Sequence, residues 1–179
     1  METIIDRYDR LSGAFADKVA AVPGDRWAAR SPCEGWTARD VVRHVCETPG
    51  LFLGFVGREF GDLPDDPAEA IAVSRERVLA ALNDPDVAGA EYEGFMGRMT
   101  FADGIDRFIN FDLVVHGWDL AKAAGLDDRI DPGDLARLEE ASKGFGDAMR
   151  GPGAFGPEVE PPAGADEQTR VLAFLGRTV

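Results

Sequence analysis

Histidine occurs at only 2 positions, His44 and His116, and an aspartate, Asp112, stands four residues before the second. On an α-helix that spacing puts two side chains on one face, one turn apart. At about 100° per residue, Val41, Leu51, Phe52 and Phe55 flank His44, and Ile105, Ile109, Leu113 and Leu120 flank His116. All three polar groups are thereby predicted to point among apolar side chains, where a polar group without a partner is costly. One divalent metal ion would account for them together. Two imidazoles and a carboxylate leave coordination positions open for water or substrate, as catalytic zinc sites do, and helical bundles place such sites between facing helices. The structural alternative is an Asp112–His116 hydrogen-bonded pair, with His44 a separately satisfied core histidine.

Neighbouring residues add candidates. Asp119, one turn beyond His116, could orient the imidazole from behind or be an exposed charge on the helix shoulder. Glu47, three residues after His44, carries the same two readings. Trp36 and Trp118 could wall a pocket, but core packing is the first expectation for both. Cys46 points to a different face from His44. Cys33 lies in a loop beside a helix N-terminus, where a thiol pKa can fall, which makes it a candidate nucleophile. Arg58 and Arg98 could meet an anionic substrate or simply be solvated. No phosphate-binding glycine loop, serine nucleophile elbow or zinc-finger spacing is present.

The elements that must carry these residues read as helices. Ile4, Ile5, Tyr8, Leu11, Phe15, Val19 and Val22 recur at helical steps, predicting a helix from Thr3 to about Ala21 that ends at Pro23-Gly24. Thr37 with Asp40 reads as a helix start, with Trp36 and Val41 placed for a hydrophobic staple. This second helix runs to about Val56, with a kink or break at Pro49. Pro67 opens a third, to about Leu82. Residues 87–99 form a short hairpin or an irregular connection. Thr100 with Asp103 starts a fourth helix, to about Ala124, closed by Gly125. Asp131-Pro132 opens a fifth, to about Met149. The Pro/Gly-rich stretch 151–165 is expected on the surface, pinned in part by Phe155 and Val159, and residues 166–176 form a short last helix. The predicted fold is all-α: one domain over residues 1–179, an antiparallel four-helix bundle with a short extra C-terminal helix.

A length of 179 residues suits a single core. The formal charge of −14 argues against nucleic acid and anionic membranes as partners. No apolar run approaches the ~20 residues needed to span a bilayer, and the acidic, amphipathic start lacks the features of a signal peptide. A cytoplasmic protein acting on a small molecule is expected, with no need for a disulfide between Cys33 and Cys46.

Two stretches then resemble a known family. Ser31-Pro32-Cys33-Glu34-Gly35-Trp36-Thr37-Ala38-Arg39-Asp40-Val41-Val42-Arg43-His44 is similar to the loop-and-helix signature of the DinB/YfiT-like superfamily, in the branch of the mycothiol-dependent maleylpyruvate isomerase N-terminal domain. Asp112-Leu113-Val114-Val115-His116-Gly117-Trp118-Asp119-Leu120-Ala121 resembles that branch's second signature, and residues 170–177 resemble its C-terminal end. The resemblance implies a four-helix bundle that binds zinc or nickel near one end. By position, His44 is the first ligand, His116 the last, and Asp112 stands where the branch has glutamate and many DinB-like proteins have histidine. It further implies thiol-dependent transfer or isomerisation with mycothiol or a similar thiol, in bundles that often dimerise. The isomerase's additional C-terminal domain has no counterpart in this length, so maleylpyruvate isomerase activity itself is not expected. The reading is a metal-dependent thiol S-transferase, isomerase-like enzyme or hydrolase. Its alternative is a non-catalytic metal- or ligand-binding bundle or stress-response module. The Ala-, Gly-, Asp- and Arg-rich composition points to a GC-rich actinobacterial source.

Overall fold

The computed structural model describes residues 2–94, 96–145, 150 and 155–178. It is mostly helical, with one small sheet. Four long helices surround the main core: α1 (Ile4–Ala21), α2 (Ala38–Phe55), α3 (Pro67–Asn83) and α6 (Asn110–Ala124). Both α1 and α2 pack against α3 and against α6. A one-turn helix, α4 (Pro85–Ala88), follows α3. The antiparallel strands β1 (Glu91–Gly94) and β2 (Gly97–Thr100) then pair with Tyr92 opposite Met99. Short α5 (Phe101–Gly104) leads towards α6, while α7 (Pro132–Phe145) and α8 (Glu167–Phe174) complete the chain. No helix among the described residues is long and apolar enough to cross a membrane.

Three helix starts share one local device. Thr3 with Asp6, Thr37 with Asp40 and Thr100 with Asp103 each form a capping box, which satisfies free N–H groups of the first turn. At α2 the Asp40 amide donates to Thr37 Oγ1 at 3.3 Å and the Thr37 amide to Asp40 Oδ2 at 3.0 Å. The expected break at Pro49 does not occur. The helix runs through it with Pro49 buried, losing only the bond that a non-proline amide would donate. Leu51, expected inward beside His44, is 50% exposed.

The expected uninterrupted helix from Thr100 to Ala124 carries a widened π-turn at Ile105–Ile109, where the Asn110 amide donates to the Ile105 carbonyl. Asp106 straddles this turn, accepting from Arg7 at 2.6 Å and from Asn110 Nδ2 at 3.1 Å. The turn adds a residue to one helical turn, so an even 100° count across it does not hold.

Beyond the turn, α6 has apolar neighbours on both sides. Leu113, Leu120, Ala123 and Ala124 join the core with α1, α2 and α3. Phe111 and Val115 join a second cluster with Leu135, Leu138 and Phe145 of α7 and with Val171 and Leu175 at α8. A helix with apolar residues on opposite faces belongs between two layers, and α6 meets one core through Leu113 and Leu120 and the other through Phe111 and Val115. The expected fifth helix is described to Phe145, and its forecast end at Met149 lies outside the described residues. In the Pro/Gly-rich stretch, residues 151–154 also lie outside them. Phe155 packs edge-on to Phe111, with ring centroids 5.4 Å apart, and the Val159 amide donates to the Ala173 carbonyl at 2.9 Å.

Candidate metal centre

Three segments meet at the site. The loop before α2 is folded tightly: the Ser31 amide donates to the Trp36 carbonyl at 2.9 Å, and the Trp36 amide to the Cys33 carbonyl at 3.1 Å. Gly35 takes φ of 79°, a left-handed conformation in which a side chain would be strained. This turn brings Cys33 and Trp36 to the histidines. The second turn of α2 supplies His44, and α6 supplies Asp112, His116 and Asp119.

His44, Asp112 and His116 each offer one ligand atom, all within 4.8 Å of one another. His44 Nε2 stands 3.5 Å from Asp112 Oδ2. The two imidazole centroids are 4.9 Å apart, and the Trp36 ring lies 4.9 Å from His44 and 5.9 Å from His116. Trp36 therefore walls the group as well as packing on the core. The side chains of His44 and Asp112 are 34% and 22% exposed, whereas that of His116 is 7% exposed. The group is closed behind and open in front.

Behind His116 the chemistry differs. Asp119 is fully buried. Its Oδ2 is 2.9 Å from His116 Nδ1; a carboxylate only accepts, so this contact puts a proton on Nδ1, and in the neutral ring Nε2 then holds the lone pair. Arg177 donates to the same carboxylate from Nε to Oδ1 at 3.2 Å and from Nη2 to Oδ2 at 2.8 Å. The Cys33 thiol also donates to Asp119 Oδ2, at 3.1 Å. Burial alone would raise the Asp119 pKa, but the hydrogen bonds from His116 and Arg177, with the Arg177 charge, outweigh it and hold the carboxyl at about 2. The Cys33 thiol is driven the other way: burial first, and then the Asp119 charge, push it up to about 12 against the pull of Arg177. The lowered thiol pKa expected beside a helix N-terminus is thus reversed. Cys46 is buried, and burial pushes it to about 12 as well.

Cys33, His116 and Asp119 also satisfy the proximity expected of metal ligands, and the two groups share His116. In the second group Asp119 already accepts from an arginine, an imidazole and a thiol, and no face of it is open. The first group is less heavily engaged: His44 has the Thr48 hydroxyl at 3.4 Å from Nδ1 and 3.5 Å from Nε2, and Asp112 at 3.5 Å from Nε2. Ligands held about 2.1 Å from one ion at tetrahedral angles stand roughly 3.4 Å apart, close to the His44–Asp112 separation. The donor set of two imidazoles and a carboxylate therefore fits a divalent cation such as zinc or nickel.

The other candidates fall elsewhere. Glu47 is exposed on α2 and belongs to neither group. Trp118 is buried in α6. Arg58 is exposed at the end of α2. Arg98 pairs with Glu91 at 2.7 Å and lines a cavity of about 610 Å³ between α1, the hairpin, α6 and α7, which none of the three ligand candidates borders. Sequence reasoning missed Arg177. The available signal was Asp119 itself, since an aspartate in a helix with apolar residues on opposite faces calls for a cation.

Residues 8–69 match the family described as the mycothiol maleylpyruvate isomerase N-terminal domain. Two Mycobacterium tuberculosis proteins, both described as uncharacterized, are each 31% identical to the chain over 184 residues: MT0763 of strain CDC 1551 / Oshkosh and Rv0738 of strain H37Rv. The alignments cover 96% of this chain and 96% of each relative. The chain belongs to this mycothiol maleylpyruvate isomerase N-terminal domain family. No solved structure matches significantly.

Proposed function

We propose that this protein is a divalent-metal-dependent enzyme of the thiol S-transferase type, with His44, Asp112 and His116 as the metal ligands and mycothiol or a related thiol as co-substrate. The four long helices are read as the antiparallel four-helix bundle of the superfamily, with α7 and α8 added on the far side of α6. The observation that carries the reading is the cluster of three donor atoms within 4.8 Å, open on one side and closed on the other.

Bound there, a zinc or nickel ion would supply positive charge that favours the thiolate form of a thiol, the nucleophilic form. The protein's residues perform the rest. Asp119 holds the His116 proton on Nδ1, which leaves Nε2 of the neutral ring as the nitrogen that could bind a cation. Asp112 contributes negative charge, which favours a cation over a neutral ligand. Trp36 covers one flank of the histidines and limits water there. The exposed edge of His44 and Asp112 leaves the approach through which a thiol and an electrophile could enter.

The test is thiol conjugation by zinc- or nickel-loaded protein, with mycothiol and a panel of small electrophiles, beside Asp112→Ala. Turnover that needs both metal and Asp112 supports the proposal. One equivalent of metal with no turnover of any electrophile would favour the binding-module reading instead.

A further inference from the structure

We infer that Arg177 is a positioning residue for the metal centre: through Asp119 it fixes which nitrogen of His116 carries the proton and where the ring points. The inference rests on the metal reading for its consequence, but its geometry stands alone. Arg177 lies three residues beyond the end of α8, only 6% exposed. Every nitrogen of its guanidinium is engaged. Nε and Nη2 grip the two oxygens of Asp119, Nη2 also donates to Cys33 Sγ at 3.3 Å, and Nη1 donates to the Leu175 carbonyl at 3.0 Å. Phe155 lies across the guanidinium, with Cζ 5.0 Å from the ring centroid. Four of its five N–H donors are thereby engaged within the protein and the side chain is buried, so the Asp119 carboxylate is the anion that Arg177 meets. Its charge is directed at Asp119.

A two-point arginine–carboxylate contact fixes orientation as well as proximity. Without it, Asp119 could rotate about its terminal bond and would face an uncompensated desolvation, and the hydrogen bond to His116 Nδ1 would lose its fixed acceptor. A ligand histidine depends on such a bond for its tautomer and ring orientation, and loss of the supporting partner typically weakens metal binding about 10- to 100-fold. The segment after α8 is thereby tied into a site whose ligands lie on α2 and α6.

Because the chain has 2 histidines, ¹⁵N NMR of the imidazole rings reads this directly in the metal-free protein. In its neutral form, wild-type His116 is expected to carry the proton on Nδ1. Arg177→Ala and Arg177→Lys, checked for folding by circular dichroism, are expected to populate both tautomers. In separate titrations with zinc chloride they should bind about 10- to 100-fold more weakly, the lysine variant at the lower end. A wild-type His116 protonated at Nε2 overturns the inference. So does either folded variant with wild-type tautomer and zinc affinity, even if its melting temperature falls, because a purely structural role lowers stability alone. Failure of wild-type protein to bind zinc would refute the metal reading and leave the tautomer measurement as the test of Arg177.

Discussion

Asp112 and Asp119 lie two turns apart on one helix, each beside a histidine, and their surroundings give them opposite roles. Asp112 has a side chain 22% exposed and one imidazole nitrogen at 3.5 Å. Asp119 is fully buried, and its two oxygens accept from Arg177, His116 and Cys33. The first carboxylate has capacity left for a ligand and the second has none. Residue type and the presence of a neighbouring histidine would not separate them. What separates them is the number of donors already satisfied and whether water can reach the group.

Alanine substitution breaks this comparison most severely at the buried end. Asp119→Ala strands the Arg177 charge in the interior and is expected to cost roughly 3–5 kcal/mol in urea unfolding. Asp112→Ala, at a half-exposed carboxylate, should cost no more than about 1 kcal/mol. Equal losses would mean that the two groups do not differ as described.

Metal sharpens the contrast next. Zinc at a hundredfold excess over its dissociation constant should stabilise the wild-type fold by about 2.7 kcal/mol, seen as a rise in thermal midpoint. Asp112→Ala should show no zinc-dependent rise. An undiminished rise in that variant would remove Asp112 from the site.

Acid separates the two through the depressed pKa of Asp119. Its folded-state value lies below the unfolded one, so its stabilisation is complete above about pH 4 and is lost as pH falls towards about 2. The fall from 3.8 to about 2 corresponds to about 2 kcal/mol. Glu2, held at about 2 chiefly by hydrogen bonding to Arg10, titrates in the same window. The contribution of Asp119 is therefore the difference between wild type and Asp119→Asn, whose stability should fall less steeply below pH 4. Parallel curves would contradict the assignment.

The smallest expected effect is at Cys33. Cys33→Ala removes one of several donors to Asp119 and should cost about 1 kcal/mol or less, leaving zinc affinity unchanged.

Much of this was legible in the chain. Threonine–aspartate pairs three residues apart marked the starts of α2 and of the helix at Thr100, because a capping box is a local device. His44, Asp112 and His116 could be grouped because close neighbours such as Val41, Leu113 and Leu120 already set the helical phase, even though Leu51 is exposed and Ile105 and Ile109 lie across the π-turn. What was not legible depended on non-local contacts. The π-turn at Ile105–Ile109 spans Asp106, which pairs with Arg7 about a hundred residues earlier. The burial of Asp119 depends on Cys33 from the loop before α2 and on Arg177, which reaches it from 58 residues further along. Leu51 was placed inward by phase alone, yet no neighbouring element covers that side of α2.

The central claim, that the open group and not the closed one is the metal site, is tested most directly by the metal-to-protein ratio of Asp112→Ala beside Cys33→Ala after zinc loading and gel filtration. His116 belongs to both groups, so its removal would not distinguish them. The account predicts about one equivalent in wild type and Cys33→Ala and none in Asp112→Ala. Zinc retained by Asp112→Ala and lost from Cys33→Ala would contradict it and move the ion to the Asp119 side of the imidazole.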